Sequence, residues 1–233
     1  MDFPRPLIPA VLERRYMRFL ADVTLESGER ITVHCPNPGS MMGLKDPGSR
    51  CWLSQSDNPK RKLKHTLEVL EADGALVGIN TGLPNRLAEE AITAGGIAPL
   101  TGYASMRREV KYGTNSRIDL LLEDAARPPC WVEVKNVHLM REPGLAEFPD
   151  SVTSRGAKHL LELAARAQAG ERAVQLFIVQ RPDCQRFTPA ADIDPVYAEG
   201  LRAARDAGVE ILGYGCDVSL SAISVARPVE IAL

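Results

Sequence analysis

Along the first eighty residues, apolar positions come in short runs broken by turn residues. FLADVTLESGERITVHC, RCWLSQS, HTLEVLEADG and ALVGIN alternate or bunch over a few residues, the habit of strands. The segment ESGE, Glu26 to Glu29, predicts a hairpin turn, and Pro36, Pro38, Gly39, Pro47 and Gly48 punctuate the stretch before RCWLSQS. Five or so strands with little helix predict a small β-barrel of the OB type. From Leu83 the rhythm changes. LPNRLAEEAITAG predicts a helix capped by Asn85 and stopped by Gly95. Strands are expected over 105–112, 117–123 and 130–139, then a helix over 154–168 with Thr153 or Ser154 as cap. A strand AVQLFIV, a helix over 195–207 and a strand VEILGYG complete the chain. Alternation of this kind means an α/β layer on a mixed sheet. The chain therefore divides into residues 1–82, an OB-like domain, and residues 83–233, an α/β domain.

Two of the predicted strands carry charges in their middles. RIDLLL holds Asp119, and CWVEVKNV holds Glu133 and Lys135. An ionised group in a core is costly unless it is paired or bound to a cation. Residues two apart on a strand share a face, so Glu133 and Lys135 project together. The loop EDAARPPC lies between the runs, and its Pro128 and Pro129 cannot continue a ladder. Symmetric closure sets Asp119 opposite residue 134; one residue of asymmetry brings it opposite 133 or 135. Carboxylate oxygens are the ligands Mg²⁺ prefers. Asp119 and Glu133 as metal ligands, with Lys135 beside the attacked phosphoryl group, form the pattern of restriction-endonuclease-like nucleases. The triplet alone is weak. With 30 acids among 233 residues, chance supplies a rival, Glu109-Val110-Lys111. An apolar strand bearing an acid precedes Glu133, and no such strand precedes Glu109.

Charge and composition narrow the partners. A net charge of -2 excludes a uniformly basic nucleic-acid wrapper and leaves room for local basic faces. DNPKRKLKHT concentrates Lys60, Arg61, Lys62 and Lys64, which suits phosphate contact. Arg14, Arg15 and Arg18, interleaved with Tyr16 and Phe19, extend that face. Arg155, Lys158 and His159 begin the helix at 154, where basic groups oppose the macrodipole unless an anion binds there. Glu90, beside the apolar stripe of its helix, is the expected additional carboxylate. Five scattered cysteines without a paired spacing point to free thiols in a reducing cytoplasm. No apolar run has the roughly 20 residues of a membrane span, and the N-terminus does not read as a signal peptide. Aromatic residues are 5%, too few for the stacking platforms of a sugar-binding regulator.

Taken together, LERRYMRFLADV, HCPNPGSM, SDNPKRKLKHT, NTGLPNRLAEEAI, EVKYG with SRIDLLL, WVEVKNV and FPDSVTSRGAKHL resemble the sugar fermentation stimulation protein A family nearly end to end. The resemblance implies an OB-like domain joined to an α/β domain of the PD-(D/E)xK type. It also implies DNA binding without sequence preference and a link to maltose or sugar use. Asp119, Glu133 and Lys135 take the nuclease-like positions, and Glu90 the preceding helical one. Pro38 and His138 depart from the family's usual threonines. The resulting expectation is a cytoplasmic DNA-binding protein, RNA not excluded, with an Mg²⁺- or Mn²⁺-dependent phosphodiesterase site. Its rival is a catalytically inactive DNA-binding transcriptional accessory protein.

Overall fold

The computed structural model describes residues 1–113 and 116–233. Six strands come first: β1 (Ile8–Tyr16), β2 (Leu20–Leu25), β3 (Arg30–His34), β4 (Arg50–Gln55), β5 (His65–Ala72) and β6 (Ala75–Gly78). Their order is β3-β2-β1-β4-β5-β6, and a parallel pairing of His34 with Thr66 joins β3 to β5. Antiparallel neighbours with one parallel seam close an OB-like barrel. The expected runs are β2 to β6. β1 is not among them, because Pro9 and the charged Glu13-Arg14-Arg15 blur its alternation, yet it pairs with both β2 and β4. Leu12, Val23, Val33, Leu53, Leu67 and Val77 fill the barrel and are fully buried. Each such aliphatic contributes roughly 1.5–3 kcal/mol.

Helix α1 (Pro84–Thr93) comes next. Asn85 does not cap it. Leu83 is the cap residue without a side-chain bond, and Pro84, with φ preset by its ring, starts the first turn. Gly95, at φ +78°, stands just past the end as expected.

The second sheet runs β15-β14-β12-β9-β8-β7, built from β7 (Ser105–Tyr112), β8 (Ser116–Asp124), β9 (Arg127–Val137), β12 (Arg172–Val179), β14 (Glu210–Val218) and β15 (Ile223–Pro228). β9, β12 and β14 are parallel; the other neighbours are antiparallel. The hairpin joining β8 to β9 is tighter than expected. Asp124 pairs with Arg127 and Leu122 with Cys130, so Pro128 and Pro129 lie inside β9, opposite Glu123. A bulge suits two residues with no N–H to give the ladder.

α1 covers one face of this sheet, with Leu87, Ala88 and Ile92 on Leu120, Val132, Val134 and Leu176. Helices α2 (Ser154–Gln168) and α3 (Pro195–Asp206) cover the other, with Leu160, Leu163, Tyr197 and Leu201 against Trp131, Phe177 and Val179. Thr153 caps α2, accepting from the Gly156 N–H at 3.2 Å, and Asp194 caps α3. A small sheet of β10 (Leu139–Glu142), β11 (Leu145–Phe148), β13 (Arg186–Pro189) and β16 (Glu230–Ile231) had no counterpart among the expected elements. Arg181, almost fully buried, joins the halves through Asp73 of the barrel at 2.9 Å and Asp183 at 2.8 Å. Residues 1–3 belong physically to the second half: Asp2 bridges to Ala222, and the Phe3 N–H donates to the Ser221 carbonyl. Among the described residues, no helix is long and apolar enough to cross a membrane.

Candidate active site

β8 and β9 separate where their charges begin. Their ladder pairs Leu120 with Val132, and continuing that register sets Asp119 against Glu133. There the Val134 N–H donates to Asp119 Oδ2 at 2.8 Å. The Asp119 carboxylate thus takes the place of a ladder acceptor, which fixes it. Asn85, at the start of α1, donates to Asp119 Oδ1 at 2.7 Å. The residue expected as a cap instead orients an acid 34 positions away.

Glu133 is almost fully buried on β9, inside the sheet between β8 and β12. Its Oε1 accepts from Lys135 Nζ at 2.6 Å and from His159 Nδ1 on α2. Arg155, one turn earlier on α2, donates to His159 Nε2 at 3.3 Å, which leaves Nδ1 as the ring's donor. Gln175 on β12 donates to the Glu133 carbonyl at 3.1 Å. Glu133 Oε2 is buried and has no hydrogen-bond partner among the described residues. Burial, followed by the charge of Glu133, pushes the Asp119 carboxyl up to about 6. Burial acts in the same direction on Glu133, but bonds from His159 and Lys135 outweigh it and hold that carboxyl below the ordinary range.

Asp119, Glu133, Lys135, Arg155 and His159 line one cleft of about 490 Å³. Asn85 joins them, and the barrel supplies the facing wall with Arg18, Asn37, Pro38 and Gly39. Asp150 clasps the two walls by accepting from the Met41 N–H at 3.0 Å. A side chain at Gly39 would overlap the Asp150 carboxylate, so glycine permits the approach. Pro38 and His138, the departures from the family pattern, both line this cleft.

Other expected residues lie elsewhere. Glu90 is 40% exposed in its side chain and pairs with the Met1 amino group and with Arg86, each at 2.8 Å. It sits five residues beyond Asn85 on α1, about 140° around the helix, so the two cannot serve one site. Arg15 is no free phosphate ligand: its Nη2 donates to the carbonyls of Arg18, Asn37 and Gly39 at 2.7–2.9 Å. Lys158 pairs with Glu162 at 3.6 Å and borders a different hollow, with Gly113 and Leu161. In the loop between β4 and β5, Lys60, Lys62 and Lys64 are exposed. Lys64 donates to the Asn58 carbonyl at 3.1 Å, and half-buried Arg61 donates to Thr66 Oγ1 at 2.9 Å. Sequence reasoning assigned no site role to Asn85 and none to Asp150. His159, expected with Arg155 and Lys158 at an anion-binding helix start, instead bonds the Glu133 carboxylate.

Comparison with known proteins agrees with this architecture. Residues 14–79 match the SfsA N-terminal OB domain, and residues 82–222 match the sugar fermentation stimulation protein RE domain. The chain belongs to the sugar fermentation stimulation protein family. A homologue from Maricaulis maris is 64% identical over 233 residues, covering 100% of this chain and 99% of its own. One from Rhodospirillum centenum is 60% identical over 232 residues, covering 100% of both. Among solved structures, Pyrococcus furiosus SfsA in complex with Ca²⁺ superimposes with a TM-score of 0.90 at 29% identity, over 100% of this chain and 98% of that one.

Proposed function

We propose that this family member is a divalent-metal-dependent phosphodiesterase acting on nucleic acid, with Asp119 and Glu133 as the metal ligands. The observation that carries the reading is the buried, unpartnered Glu133 Oε2 beside a second carboxylate that burial and Glu133 have pushed up. A hard cation relieves both conditions, because it accepts carboxylate oxygens and keeps waters in its remaining positions. The donor set therefore fits Mg²⁺ or Mn²⁺, and the Ca²⁺ complex of the Pyrococcus furiosus relative supports a divalent site. When bound, such an ion supplies Lewis-acid stabilisation of phosphoryl oxygen and a more acidic water.

The remaining work falls to this chain's own groups. Asn85 and the Val134 N–H aim Asp119; His159 aims Glu133, and Arg155 fixes the histidine's tautomer. The Lys135 ammonium stands where it can meet charge growing on a phosphoryl oxygen, a role worth roughly 10²- to 10³-fold in rate. Arg18 and Arg155 on the cleft walls, with Lys60 and Lys62 on the barrel loop, hold the backbone. In this reading, the influence on sugar use carried by the family name is exerted through nucleic acid.

Incubating the purified protein with DNA and RNA in Mg²⁺ or Mn²⁺ tests the proposal. Cleavage is expected, with Lys135→Ala abolishing it while binding is retained. Binding that ignores metal, with no cut in any single-stranded or structured substrate, would leave the inactive accessory protein as the correct reading.

A further inference from the structure

The turn between β1 and β2 is built against ordinary economy. Met17 and Arg18 both adopt left-handed backbone, at φ +47° and +61°, in the three-residue loop closed by the Tyr16–Leu20 pair, a conformation that favours Asn or Gly. Met17 is 77% exposed and Phe19 46%, so two large apolar groups flank an arginine at the tip. Arg15 pins this turn by donating to the carbonyls of Arg18, Asn37 and Gly39, joining it to the loop that forms the barrel wall of the cleft. Phe19 stacks on His34 with ring centroids 6.3 Å apart and planes at 22°. Arg18 lines the cleft itself. On the other wall, Val152 also lines the cleft and is 75% exposed. Apolar Val152 thus lines one wall, Met17 and Phe19 flank the Arg18 that lines the other, and charged groups fill the floor.

A nucleotide chain has the complementary layout, with apolar base faces on an anionic backbone. A stretch of protein with only a phosphate to hold needs Arg18 and not Phe19. An exposed aromatic ring on a rigid support gains most from a base whose face is free, and in a duplex both faces are taken by neighbouring bases. Strained backbone held by surrounding bonds is a feature of ligand clamps. We propose that the Met17–Phe19 turn is a base-stacking clamp that selects single-stranded nucleic acid, with one unpaired base on Phe19 and an adjoining phosphate on Arg18. This rests on the nucleic-acid reading of the cleft and adds to it the class of strand.

The experiment uses the full chain in EDTA, so that binding is read without cleavage, with a labelled oligothymidylate and a matched blunt-ended duplex as probes. Phe19→Ala should weaken oligothymidylate binding about tenfold and leave duplex binding within about twofold, the loss expected for one stacked base. Phe19→Trp should restore single-strand binding, and Phe19→Leu, which keeps apolar bulk without a ring of π-electrons, should not. Circular dichroism and the urea midpoint establish that each variant is folded. Equal loss on both probes, loss on neither, or full rescue by leucine would overturn the clamp while leaving the phosphodiesterase reading intact. Wild-type protein that binds neither probe in EDTA nor with Ca²⁺ supplied in place of EDTA would overturn both.

Discussion

Two glutamates in the same local sequence, Glu109-Val110-Lys111 and Glu133-Val134-Lys135, meet opposite fates. Both lie in register with Asp119. Arg108 pairs with Leu120 and Val110 with Ile118, so Glu109 is the residue skipped opposite Asp119 on β7. Glu133 holds the corresponding position on β9. Glu109 takes left-handed backbone at φ +53° on an edge strand, and it is exposed. Glu133 lies on an inner strand, roofed by α2 and bonded by His159 and Lys135. The triplet acquires chemical meaning from strand order. An edge strand lets a carboxylate stay in water, whereas an inner strand under a helix makes it need partners.

The largest expected effect separates the two directly. Glu133→Gln should reduce metal-dependent cleavage roughly 10²- to 10³-fold, the scale of losing a charge-stabilising group. Glu109→Gln should leave it within about twofold, since exposed substitutions away from a site are usually within about 0.5 kcal/mol. Single-turnover cleavage of the same substrate reads both. Comparable losses would mean that β7 and β9 both face the reacting phosphate, and the contrast would fail. A smaller effect concerns the support of Glu133. His159→Ala should cost about 2 kcal/mol in urea unfolding, because it removes a hydrogen bond to a buried charged group. His159→Gln should recover part of that. No loss on removing the imidazole would mean that Lys135 alone satisfies Glu133.

The strands and the acids were legible because each is a local pattern. Alternation marks β2 to β6, and a charge inside RIDLLL or CWVEV contradicts its own neighbours. The features that escaped depend on contacts across long stretches of chain. Asn85 meets Asp119 across 34 positions, and nothing in LPNRLAEE distinguishes a cap from a ligand's partner. Glu90 has an inward-looking place on the helical wheel, but Pro84 starts the helix early and the Met1 amino group occupies the carboxylate. Arg15 looks like a phosphate contact in a run of arginines; two of the three carbonyls that claim it, those of Asn37 and Gly39, come from a loop more than twenty residues later. The small sheet of β10, β11, β13 and β16 has strands of two to four residues, below the length at which alternation can be read.

A third glutamate sharpens the comparison. Glu68 on β5 is buried like Glu133, but its direct partners are neutral: Ser54 Oγ donates at 2.6 Å and Asn80 Nδ2 at 2.7 Å. Burial pushes its carboxyl up, more than those two donors and the charge of Arg61 pull it down. Glu133, with an ammonium and an imidazole at hand, moves the other way. A raised folded value means that the native state holds the proton more tightly than the unfolded chain does. Its contribution to stability is therefore present below the ordinary glutamate range and is lost as pH rises through the raised folded value. Glu68→Gln should carry a constant offset, because an amide cannot accept on both sides, but it should lose that slope. Urea midpoints across the range would then show the variant gaining on the wild type as pH rises, the smallest of these effects. Parallel curves would mean that Glu68 ionises in its buried place on β5 as easily as in water, and that neutral donors alone can do for a buried carboxylate what Lys135 and His159 do for Glu133.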